Sequence, residues 1–160
     1  MKKSCYYLYI FAFFFVVALD RITKWWALLH LVHGDRDVLP GLRLSLTFNR
    51  GISWSLLSFD SAHYFWLVSA IIILVILLFV GYAVRAALRG VNVAAEVMVI
   101  AGASSNILDR FLYGGVIDFI ECYVGSWSWP TFNIADVFIV TGVVYLLVRN
   151  ALYGWDHESS

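Results

Sequence analysis

The chain has 160 residues, 62% of them hydrophobic and only 14% charged, with 11 basic side chains set against 11 acidic ones. A neutral chain of this kind has no basic footprint for nucleic acid. Its length and its apolar runs of roughly twenty residues suit one compact membrane unit, residues 1–160, better than two soluble domains.

The first helix is predicted over about 5–29. Met1-Lys2-Lys3 and the apolar run from Tyr6 to Leu19 could open a cleavable signal peptide, with Val16-Val17-Ala18 as a poor cleavage site. The apolar pattern continues through Ile22, Trp25, Trp26, Ala27 and Leu28, however, which is too long for a signal core and right for an uncleaved span. At ~1.5 Å per residue, Asp20 sits ~23 Å along this helix. Asp20, Thr23, Lys24 and Ala27 follow i, i+3, i+4, i+7 spacing, so one face of the far end is polar. Two readings stand side by side: a local Asp20–Lys24 pair that neutralises itself, or a face that lines a site.

From His30 to about Asp60 the chain is expected to leave the membrane. Pro40-Gly41 marks a turn, after which Leu42, Leu44, Leu46 and Phe48 alternate with polar residues in the period-2 pattern of a half-buried strand. Asn49-Arg50-Gly51 breaks it, and Ile52 to Leu57 can form a second strand. The expectation is a small sheet over about 38–58 on the outer membrane surface. Its apolar face would meet lipid headgroups or a lipid-modified substrate. His30, His33, Asp35 and Asp37 fit no strong ligand template, so no metal is expected.

Tyr64 to Val84 is an uncharged span (about 64–84) ended by Arg85, Arg89 and Gly90. A third span follows over about 92–113, ended by Gly114-Gly115, and a fourth over about 132–149 after Pro130. Four spans put both termini on one side. Lys2, Lys3, Arg85, Arg89 and Arg149 cluster at that side, which is therefore assigned to the cytoplasm. Six tryptophans (Trp25, Trp26, Trp54, Trp66, Trp127 and Trp129) fall at the outer interface and Trp155 at the inner. Cys5 and Cys122 fall at opposite membrane faces, so no disulfide is expected.

With this topology the polar positions of distant segments meet at one depth: Asp20; Asn106, Asp109 and Arg110; Asp118; Asn133 and Asp136. Ionisable groups in an apolar chain ask for a reason. Asn106, Asp109 and Arg110 stand at i, i+3, i+4, so Arg110 can pair with a carboxylate while Asn106 bonds across the bundle. Asp118, in a loop after the glycine pair, and Asp136, in the first turn of the fourth helix, form a carboxylate pair. Two such groups share a proton, one serving as base on a water and the other as acid toward a peptide carbonyl. Asp136, at the positive end of a helix, would hold the charge and Asp118 the proton. The rivals are a polar network that only glues helices, as in a membrane scaffold or lipid-binding protein, and a Ser104 or Ser105 nucleophile with Lys24 as base.

In order along the chain, Asp20-Arg21-Ile22-Thr23-Lys24, Asn49-Arg50-Gly51, Asn106-Ile107-Leu108-Asp109-Arg110, Val116-Ile117-Asp118-Phe119 and Phe132-Asn133-Ile134-Ala135-Asp136 resemble the signature blocks of bacterial lipoprotein signal peptidase, the signal peptidase II family. The resemblance covers about residues 15–140. It implies an aspartic endopeptidase with Asp118 and Asp136 as the catalytic dyad, supported by Asp20, Lys24, Asn49, Gly51, Asn106, Asp109, Arg110 and Asn133. It further implies diacylglyceryl-modified prolipoprotein substrates cut on the N-terminal side of the lipidated cysteine. No phosphate loop, haem motif or thiol cluster appears in the sequence, so no cofactor is expected, and the chain is expected to act as a monomer. The site would lie near the outer leaflet of the bacterial cytoplasmic membrane. The implied fold is mainly α, with four transmembrane helices, an extracytoplasmic β-cradle and a short outer helix placed within Val116 to Val124. Three departures stand out: Arg21 where glutamine is usual, Ser104-Ser105 in place of a Leu-Gly type pair, and a bulkier Ile52-Ser53-Trp54-Ser55.

Overall fold

The computed structural model describes residues 3–51 and 61–153. The elements run α1 (Lys3–His30), β1 (Arg36–Leu39), β2 (Leu42–Asn49), α2 (Ser61–Leu88), α3 (Ala94–Tyr113), β3 (Val116–Val124), β4 (Trp127–Ser128) and α4 (Ile134–Tyr153). The four strands form one antiparallel array in the order β1-β2-β3-β4. The expected second strand at Ile52 to Leu57, and with it Trp54, lies outside the described residues, as does Trp155.

Among the described residues, three helical stretches are long and apolar enough to cross a membrane: Tyr6–His30, Ala62–Leu88 and Ile134–Leu152. Their outer faces carry large exposed apolar side chains, among them Phe11, Phe14, Leu74, Leu78, Tyr145 and Leu147, while the buried set includes Asp20, Lys24, Glu96, Asp109, Asp118 and Asn133. This inverts the arrangement of a soluble domain, as a lipid environment requires. α2 runs further than its charge pattern suggested, through Arg85 to Leu88, because a cationic last turn still satisfies helix geometry, whereas α3 starts later than expected, at Ala94.

The β2 reading holds at its core. Leu44 and Leu46 pack on Ala27, Leu31 and Phe119, joining the sheet to the end of α1. On the other face Arg43 opposes Asp37 and Glu121 in neighbouring strands and lies over the Tyr123 ring. Val116–Val124 is not the expected short helix; it is the nine-residue strand β3, paired with β2 from Leu42↔Cys122 to Asn49↔Val116. The physical reason lies in its β-branched and aromatic content and in the unpaired edge that β2 would otherwise present. Asp118 therefore sits on a strand opposite Thr47, not in a loop.

The middle of the assembly is α3, which touches α1, α2, α4 and β3. Its contact with α4 is close because glycine stands at both crossing points. A Cβ on Gly102 would lie 2.6 Å from the Ala135 carbonyl oxygen, and one on Gly142 would lie 2.8 Å from that of Ala95. Overpacking of this kind costs roughly 1–3 kcal/mol. Gly102→Ala is thus expected to lower the thermal unfolding midpoint in detergent by several degrees, whereas Gly81→Ala, with no atom near the added methyl, leaves it unchanged or slightly raised.

Candidate active site

The first turn of α4 is built as a capping box. Asn133, just before the helix, accepts a hydrogen bond from the Asp136 amide at its Oδ1 (3.0 Å), and Asp136 Oδ2 accepts one from the Asn133 amide (3.1 Å). An Asn-x-x-Asp spacing at a helix start therefore fixes the Asp136 carboxylate against its own backbone. Its other oxygen, Oδ1, accepts from Asn106 Nδ2 of α3 at 2.8 Å.

Asp118 arrives from β3 and is also held at both oxygens. Asn49, the last residue of β2, donates through Nδ2 to Oδ2 at 3.0 Å, and Asn133 Nδ2 donates to Oδ1 at 2.6 Å. Asn133 thus touches both aspartates, one through its amide nitrogen and the other through its cap. Both line a cleft of about 210 Å³ with Asn49, Ile72, Asn106, Arg110 and Ile139. Burial pushes the Asp118 carboxyl up to about 6, aided by the Asp136 charge and opposed by the hydrogen bonds from Asn49 and Asn133.

Behind the carboxylates lies an ionic cluster. Lys24 Nζ is 2.7 Å from each of three oxygens: Asp20 Oδ2, Asp109 Oδ2 and Asn106 Oδ1. An ammonium on Asn106 Oδ1 obliges the same amide to turn its NH₂ toward Asp136. Asp20 Oδ1 accepts from the Ala135 amide at 2.9 Å, tying α1 to the first turn of α4, and Asp109 Oδ2 accepts from the Ile117 amide at 3.2 Å, tying α3 to β3.

The sequence profile described as Signal peptidase (SPase) II matches residues 12–152. The chain belongs to the signal peptidase II family. A lipoprotein signal peptidase from Blochmanniella pennsylvanica (strain BPEN) is 38% identical over 136 residues, covering 84% of this chain and 82% of that protein. One from Neisseria gonorrhoeae (strain ATCC 700825 / FA 1090) is 34% identical over 152 residues, 90% and 89% of the two chains. Among solved structures, a bacterial membrane enzyme determined by the in meso method at 1.9 Å resolution has a TM-score of 0.68 at 27% identity, over 91% of this chain and 92% of that one.

In this membrane peptidase, Asp20, Lys24, Asn49, Asn106, Asp109, Asp118, Asn133 and Asp136 form one continuous hydrogen-bonded network. Gly51 (φ +76°) borders it: its amide donates to Asn49 Oδ1 at 2.8 Å, and a Cβ there would lie 3.1 Å from Arg110 Nη2. Two readings need correction. Thr23 adds no group to the Asp20–Lys24 network, because its hydroxyl bonds back to the Leu19 and Asp20 carbonyls of its own helix. Arg110 makes no ion pair among the described residues. Asp109 turns to Lys24 and Arg21 instead, and Arg110 lies over the Phe65 ring with its buried Nη1 lacking a hydrogen-bond partner among the described residues.

Of the His30, His33, Asp35 and Asp37 group, His30 stacks on Trp26 and bonds its carbonyl, while Asp37 pairs with Arg43. Sequence reasoning missed Glu96, which is wholly buried and bonded to Arg149 at 2.6 Å, clamping the start of α3 to the end of α4. A lone acid in the apolar first turn of a span was the available signal.

An aspartate whose folded pKa is raised above its unfolded value loses stability as pH rises between the two. Asp118 at about 6 against an ordinary 3.8 places that window at about pH 4–6. Asp118→Asn is therefore expected to gain thermal stability relative to wild type at pH 7 but not at pH 4, as read from paired unfolding midpoints at the two pH values.

Proposed function

We propose that this chain is an aspartic endopeptidase in which Asp118 and Asp136 activate water to release the signal peptide from diacylglyceryl-modified prolipoproteins, on the N-terminal side of the lipidated cysteine. The observation that carries the reading is the shared cleft, in which Asn133 joins the two carboxylates and, among the described residues, neither forms an ion pair with a cation. The chain's similarity to lipoprotein signal peptidases supports the substrate class.

In the reactive, singly protonated form of the pair Asp118 carries the proton and Asp136, held by the capping-box amide and Asn106 at the positive end of α4, carries the charge. Asp136 takes a proton from the bound water as its oxygen attacks the scissile carbonyl carbon. Asp118 gives its proton to the carbonyl oxygen. Collapse of the resulting diol breaks the C–N bond, the nitrogen takes the proton from Asp136, and Asp118 recovers one from the diol. Asn49 and Arg110 line the same cleft and suit a substrate backbone carbonyl. Asp20, Lys24, Asp109 and Asn106 hold the dyad from behind, and Gly51 leaves room for Arg110.

The proposed topology adds α3 as a fourth span. Its twenty residues cover ~30 Å, the thickness of a hydrocarbon core. Its polar residues face the bundle, which is why it is less apolar than the other three. Both termini would be cytoplasmic, and the sheet and cleft would lie near the outer leaflet of the bacterial membrane, with the chain acting as a monomer. The serine–lysine rival is disfavoured because Lys24 is fully occupied by Asp20, Asp109 and Asn106, and Ser105 Oγ donates to Asp20.

Purified protein in detergent should cut a diacylglyceryl-modified prolipoprotein immediately before the lipidated cysteine, as seen by mass spectrometry of the product. Asp118→Asn and Asp136→Asn, while folded, should each lose ~10²–10⁴-fold in rate. Cleavage by both variants at the wild-type rate would leave the carboxylates structural.

A further inference from the structure

The cluster behind the dyad contains a second cation that the dyad-supporting set does not include. Arg21 Nη1 lies 2.6 Å from Asp109 Oδ1 and Arg21 Nη2 3.3 Å from Asp20 Oδ2. Its Nε donates to Ser105 Oγ at 3.1 Å, and that hydroxyl donates its own proton to Asp20 Oδ2 at 2.7 Å. Arg21 and Ser105 are thus the two ends of one hydrogen bond, spanning α1 and α3. Asp20 and Asp109 are fully buried, Lys24 is 1% exposed and the Arg21 side chain 23%. With two carboxylates and two cations the group is neutral.

We propose that Arg21 and Ser105 are positioning residues of this site: by balancing Asp20 and Asp109, they leave Lys24 able to hold the Asn106 amide against Asp136. The inference rests on the peptidase reading above. Without the Arg21 charge, one ammonium faces two buried carboxylates in an apolar surround, where an uncompensated charge is costly. Lys24 is then drawn into the cluster, and Asn106 Oδ1 loses the cation that sets which way its amide points. A flipped Asn106 presents an oxygen, not an NH₂, to Asp136. A second route runs through Asp20, whose Oδ1 holds the Ala135 amide one residue before Asp136. Ser105 serves both routes because a hydroxyl accepts from Arg21 and donates to Asp20 at once.

The test compares kcat and KM of the full-length protein in detergent on a diacylglyceryl-modified prolipoprotein, for wild type, Arg21→Gln, Arg21→Lys and Ser105→Ala, each normalised to folded protein. Arg21→Gln is expected to lower kcat about 10- to 100-fold with KM unchanged, since small misplacements of catalytic groups cost that much. Arg21→Lys, which keeps the charge, should recover most of the loss, and Ser105→Ala should fall between. Wild-type kcat in Arg21→Gln, a change in KM alone, or a loss that Arg21→Lys does not recover would each overturn the proposal. Should Arg21→Gln not fold, Ser105→Ala decides, and wild-type kcat there overturns it. Asp118→Asn and Asp136→Asn run alongside. If they cut normally the peptidase reading itself fails, whereas if they are inert and Arg21→Gln matches wild type, only this inference does.

Discussion

A charge shut inside an apolar body must find its partners within the protein, since neither lipid nor bulk water supplies them. That constraint organises this chain. Asp20, Lys24 and Asp109 are buried almost completely, and the contacts that satisfy them reach α1, α3, α4 and β3. Such a cluster adds little stability over a well-packed apolar core, but it admits few alternative arrangements, because displacing any one element strands a charge. Specificity of assembly and placement of the site come from the same atoms.

The two aspartates of the cleft owe their different surroundings to the elements that carry them. Asp136 belongs to a helix start and is fixed by local backbone geometry, through the capping box with Asn133. Asp118 belongs to a strand and is placed by pairing with β2, whose last residue, Asn49, reaches back to it. Asn133 is the hinge between these two systems, and it is wholly buried although it carries no charge. Burial also explains why the Asp118 carboxyl is pushed up toward neutrality while it keeps two hydrogen bonds.

At the opposite end of the bundle a smaller version of the same principle operates. Glu96 and Arg149 join α3 to α4, Arg149 also donates to the Asn92 carbonyl, and Asn92 accepts from Tyr9 of α1. Between the two polar ends the helices are held by close packing at Gly102 and Gly142. The bundle is clamped at both ends and left smooth outside.

Local patterns in the sequence determined a good deal. Uninterrupted apolar length marked the helices, period-2 alternation marked β2, and Pro130 marked the approach to α4, since each depends on neighbours a few residues apart. Carboxylates in an apolar chain marked where the polar centre would be. What depends on partners far along the chain was decided only by tertiary structure. Val116–Val124 became a strand because β2 lay beside it with an open edge. Among the described residues Arg110 was left without a carboxylate because Asp109 had met Lys24 and Arg21 first, and Thr23 turned to its own backbone. Arg21 and Ser105, 84 positions apart, showed their meaning only once α1 and α3 were side by side. A buried charge is visible in one dimension, but the group that compensates it is chosen in three.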